Sequence, residues 1–115
     1  MKLEDARRLA LALPEVTEEP HFDMTSWRIR KRLFVTAPPE GDRLHVFLDE
    51  EEVRAFLAED PAAFEELWWG KRLSGVRVKL AEADPARVEA LLGEAWLRRA
   101  PKALAASWRP AEEGS

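Results

Sequence analysis

The chain has no cysteine, asparagine, glutamine or tyrosine among its 115 residues, and only two histidines. The absence of cysteine removes disulfides, thiolate metal sites and the best side-chain nucleophile. His21 and Asp23 offer an imidazole and a carboxylate but no third metal ligand, so no metal site is expected. Hydroxyl nucleophiles are also scarce, and no serine stands in a nucleophile-elbow context. Five scattered glycines build no phosphate-cradling loop. No apolar run approaches the roughly 20 residues of a membrane span. The N-terminus, Met1-Lys2-Leu3-Glu4-Asp5, is acidic within five residues, unlike a secretory leader. These absences favour a cytoplasmic protein without cofactor or membrane partner. Missing amides beside abundant Arg and Glu fit a hot habitat, and a GC-rich genome would give the same bias.

What is present reads as one domain, spanning 1–109, with a frayed tail at 110–115. Leu3, Ala6, Leu9, Ala10 and Leu13 repeat at helical spacing, and Pro14 ends that helix. Residues 15–20 read as an acidic loop. Residues 26–30 alternate apolar and basic, Lys31-Arg32 reads as a tight turn, and 33–37 as the return strand. A turn at 38–42 leads into a third alternating run, 43–48. Asp49, with Glu52 three residues on, caps a helix to about Ala58. Residues 64–69 fit either a short helix or a buried edge strand. Val76-Arg77-Val78-Lys79-Leu80 is a strand, and Asp84-Pro85 opens a last long helix, broken at Pro101. A further helical turn runs to about Ser107. The expectation is an α+β fold, an antiparallel sheet of about four to five strands with helices packed on one face.

The net charge of −4 hides segregation. Residues 24–48 sum to +3 and 71–79 to +4, whereas 49–70 sum to −7. Strand alternation sends Trp27, Ile29, Leu44, Val46, Val76 and Val78 inward. The opposite face would then carry Arg28, Arg30, Arg43, His45, Arg77 and Lys79, with Lys31, Arg32, Lys71 and Arg72 at two loop tips. Such cations can neutralise phosphates, and Phe47 or Trp69 can stack on bases. His45 could contact a phosphate when protonated. The competing reading is a solvated face whose arginines pair with nearby glutamates. Of five tryptophans, Trp27, Trp96 and Trp108 are expected in or over the core, while Trp68 and Trp69 cannot both be buried on a strand. The run Glu50-Glu51-Glu52 suits a helix start and needs no catalytic role.

Leu11-Ala12-Leu13-Pro14-Glu15-Val16, Glu19-Pro20-His21-Phe22, Ser26-Trp27-Arg28-Ile29 and Lys31-Arg32-Leu33-Phe34 resemble the opening half of the MmcQ/YjbR family. Val76-Arg77-Val78-Lys79-Leu80, Glu94-Ala95-Trp96 and Ala100-Pro101-Lys102 resemble its closing strand and helix. The resemblance implies a small α+β domain likened to a double-wing DNA-binding arrangement, with no catalytic residues to carry over. Asp23, Arg30-Lys31 and Trp68-Trp69-Gly70 depart from the family pattern. The function expected is a non-enzymatic module contacting DNA backbone through Arg28, Arg30, Lys31, Arg32, Arg43, Lys71, Arg72, Arg77 and Lys79, as a monomer or weak homodimer. The alternative is a protein-interaction domain in which acidic 49–66 meets a basic face. An enzyme would need a pocket around His21, Asp23 and Ser26.

Overall fold

A computed structural model describes residues 1–108. The expected tail, 110–115, lies outside them. Helix α1 (Leu3–Leu11) precedes four strands: β1 (Val16–His21), β2 (Met24–Ile29), β3 (Arg32–Ala37) and β4 (Arg43–Phe47). Then come α2 (Glu50–Glu59), β5 (Phe64–Trp69), β6 (Arg72–Lys79), a single 3-10 turn (Leu80–Glu82), α3 (Pro85–Arg99) and α4 (Lys102–Ser107). The strands form one antiparallel sheet in the order β1-β2-β3-β4-β6-β5.

Six strands exceed the four to five expected, because the acidic segment 15–20 is a strand rather than a loop. Glu18, Glu19 and Pro20 have weak strand preference, but β1 is an edge, where polar side chains and a proline are tolerated. Its pairing to β2 and the Trp27 indole N–H donated to Glu18 Oε1 (3.1 Å) hold it in place. Residues 64–69 take the strand alternative. The β2–β3 turn is Arg30-Lys31, one residue earlier than expected. Both residues have positive φ (47° and 72°), the two-residue hairpin turn whose twist matches the strands.

The helices cover one face. Trp27, Ile29, Val35, Leu44, Val46, Val76 and Val78 point beneath them and are fully buried. They share a core with Ala6 and Ala10 of α1, Val53 and Phe56 of α2, and Val88, Leu91, Leu92, Ala95 and Trp96 of α3. Asp84 caps α3 by accepting from the Ala86 N–H, with Pro85 at the first helical position. Trp96, wholly buried, donates its indole N–H to the Pro14 carbonyl (3.0 Å), tying α3 to the end of α1. Trp108 leans on Trp96 at 5.1 Å between ring centres and stays half-buried.

Two irregularities shape the other face. An extra residue enters β3 opposite Trp27/Arg28, and another enters β6 opposite Leu67/Trp68. Such bulges bend the strand that carries them. β3 and β4 pair only at Val35–Val46 and Thr36–His45, then separate. Strand directions place the β2–β3 and β5–β6 turns at one end of the sheet, on either side of that separation.

Candidate polyanion-binding end of the sheet

The face without helices is not the continuous basic surface expected. Register puts Glu19, Ser26, Thr36, His45, Arg77 and Glu65 in one row across it. The two edge strands thus bring a glutamate to each end of the row. Three of the expected cations are paired. Arg30 sits in the turn and makes two bonds to Glu15 (2.7 and 3.1 Å), which depress the Glu15 carboxyl below its ordinary pKa. Arg43 meets Asp42 at 3.3 Å, and Lys79 meets Glu65 at 4.0 Å. Arg28 donates to Ser26 Oγ (3.1 Å) and lies 3.1 Å from His21 Nδ1. Burial, and next the Arg77 guanidinium, push His45 below the usual imidazole range, so a phosphate contact through a protonated ring is disfavoured.

The loop tips keep their charge. Among the described residues, no ion pair engages Lys31, Arg32, Lys71 or Arg72, and all four are exposed. Both turns lie at the end where β3 and β4 part. A groove of about 500 Å³ runs there from Leu33 of one hairpin to Trp69 and Arg72 of the other, with Phe47 and Leu48 between. Trp69 is 75% exposed, and Phe47 is half-buried in the groove wall. Trp68 is 48% exposed and donates its indole N–H to Glu66 (3.1 Å). The strand reading therefore leaves both rings of the pair largely outside the core.

Two further arginines arrive from α3. Arg99 donates to the Leu33 carbonyl at 3.1 Å, and Arg98 pairs with Asp49 and Glu52. Both line the groove. Their position was hidden in the sequence, since only the return of α3 across β3 brings its last turn there. The doubled arginine just before Pro101 was the available signal. Of the three residues named for a possible pocket, His21 lines a hollow on the helix-free face. Ser26 is buried and donates to the Glu19 carbonyl (2.8 Å), and Asp23 lies exposed in the β1–β2 turn. Among the described residues, no cluster of three metal-ligating side chains exists, and no helix is long and apolar enough to cross a membrane.

A sequence profile of the YjbR family matches residues 11–98. The chain belongs to the YjbR family. An uncharacterised protein of Mycobacterium bovis and its counterparts in two Mycobacterium tuberculosis strains are each 29% identical over 119 residues, covering 88% of this chain and 90% of theirs. The crystal structure of Deinococcus radiodurans protein DR2400, of domain type DUF419, superposes with a TM-score of 0.71. It covers 98% of this chain and 86% of its own at 19% identity, a likeness of fold. The YjbR match spans β1 through almost all of α3, so both hairpins and every groove residue but Arg99 lie within the matched region.

Proposed function

We propose that this YjbR protein is a non-enzymatic module that grips a nucleic acid backbone with the two hairpin tips at the open end of its sheet. One observation carries the reading: Lys31 and Arg32 on one hairpin and Lys71 and Arg72 on the other are exposed and unpaired by any described carboxylate, and the two hairpins supply Leu33 and Arg72 to one groove. Two such tips fit the double-wing arrangement that the family suggests. Phosphate neutralisation by these side chains releases counterions and is indifferent to base sequence. Trp69, exposed at the groove wall, offers a flat surface for an unstacked base. The β2–β3 turn supports the same reading. Arg30 and Lys31 hold left-handed backbone where Asn-Gly is favoured, so local strain accompanies charge at the tip.

The reading narrows the expected contact set. Lys31, Arg32, Lys71 and Arg72 make the primary contacts, with Arg28 and Arg77 farther up the sheet. Arg30, Arg43 and Lys79 are already neutralised by Glu15, Asp42 and Glu65. Fluorescence anisotropy with labelled duplex and single-stranded DNA at low salt tests it. The protein should bind, and the variant with alanine at all four tip cations should not. Equal binding by both, or a salt-sensitive protein dimer without DNA affinity, would overturn it.

A further inference from the structure

The helix-free face holds a second feature, a hollow of about 300 Å³ floored by Thr36 and His45. No helix covers Thr36, yet it is only 3% exposed. Its hydroxyl has no hydrogen-bond partner among the described residues. No described side-chain nitrogen or oxygen sealed from solvent lacks a partner, so this hydroxyl opens into the hollow. The His45 ring, beside it across the β3–β4 ladder, likewise has no hydrogen bond among the described residues. Next across the sheet comes Arg77, half-buried and in no described ion pair. Leu33, Phe47, Leu67 and Trp69 supply apolar walls.

We propose that this hollow binds a small monocarboxylate with a flat apolar body. The carboxylate would accept from the Thr36 hydroxyl and the His45 ring N–H and face the Arg77 guanidinium, while the body lies between Phe47, Leu67 and Trp69. Thr36 is buried beside the half-buried His45 and Arg77, and a row of donors that no described side chain engages, open to an apolar-walled hollow, is the arrangement that a small polar ligand needs. The charge favours a single negative group. Arg28 is turned toward Ser26 and His21, the imidazole is held neutral by burial and by Arg77, and Glu65 stands opposite Arg77 on β5. A doubly charged phosphate would meet too little countercharge here.

The test is an NMR titration of the full chain with indole-3-acetate and benzoate as probes, and indole-3-acetamide as the uncharged match. Saturable shifts are expected at the amides of Thr36, His45 and Arg77 and at the Trp69 indole. The acetamide should bind at least about tenfold more weakly, the ratio that one charge-assisted hydrogen bond supports. Arg77→Gln should cost about tenfold, Thr36→Val somewhat less, and Trp69→Ala should weaken both probes without touching the core. Alanines at Lys31, Arg32, Lys71 and Arg72 should leave the affinity unchanged, which separates this site from the DNA reading. Equal binding of acid and amide, shifts confined to the hairpin tips, or no saturation by about 10 mM, the weak limit of specific recognition, would overturn it.

Discussion

Gly75 is where the sheet tolerates least. It lies at the bulge in β6, opposite Phe47 of β4 and Leu67 of β5. A Cβ added there would lie 3.0 Å from the Val46 carbonyl carbon and 3.1 Å from Phe47 Cα, and closer still to the Val46 oxygen. Carbon–carbon contacts are comfortable at about 3.5–4.0 Å, so β4 would have to retreat by about half an ångström or more. It cannot do so cheaply. The Leu48 N–H donates to the Ser74 carbonyl at 3.1 Å, and Val46 is wholly buried under the helices. Overpacking of this kind costs about 1–3 kcal/mol, and each ladder bond stretched open adds about 1. Gly75→Ala should therefore lose about 3 kcal/mol. With a urea slope of about 1–3 kcal/mol/M, the unfolding midpoint should fall by about 1–3 M. A fall below about 0.3 M would mean that the strands part freely at this point, and the reasoning would fail.

Trp96→Phe should destabilise by about 2–3 kcal/mol in the same assay, since it leaves a void in the core and strands the Pro14 carbonyl. His45 binds protons less readily in the folded chain than its ordinary value of 6.5. The unfolded chain therefore takes up more protons, and stability present above that value declines as the pH falls through it toward the folded pKa. His45→Gln should flatten that decline, and melting curves between pH 8 and pH 5 with parallel slopes for both proteins would contradict the assignment. Replacing Arg30-Lys31 by Asn-Gly should raise the melting temperature by a few degrees, since relief of two left-handed side chains, about 1 kcal/mol, outweighs an exposed ion pair with Glu15. The same change should weaken DNA binding, and a less stable variant would sink the strain argument.

Most of the fold was legible because periodicity and punctuation agree. Pro14, Asp49, Asp84-Pro85 and Pro101 mark helix ends, and Trp27, Leu44, Val46, Val76 and Val78 alternate as a buried sheet face should. β1 was not legible. Its Thr-Glu-Glu-Pro run has loop composition, and only pairing with β2 makes it a strand. The same strand lowers the charge of the helix-free face, because Glu19 on β1 and Glu65 on β5 dilute it. Arg28 lies on the helix-free side, as alternation placed it, and Lys31 lies in a turn, whereas Arg32 opens β3 rather than sitting in that turn. The pairing of Arg30 with Glu15, 15 residues away in sequence, depends on tertiary contact that local pattern does not encode. The unpartnered Thr36 hydroxyl is a property of packing and leaves no trace in sequence.

The salt dependence of DNA affinity tests the central claim most directly. Four phosphate contacts predict a log–log slope of about −3.6 on duplex DNA, and Lys71→Ala/Arg72→Ala should reduce it by about 1.8. A slope near zero, or one that survives loss of these two side chains, would show that the hairpin tips do not hold a polyanion.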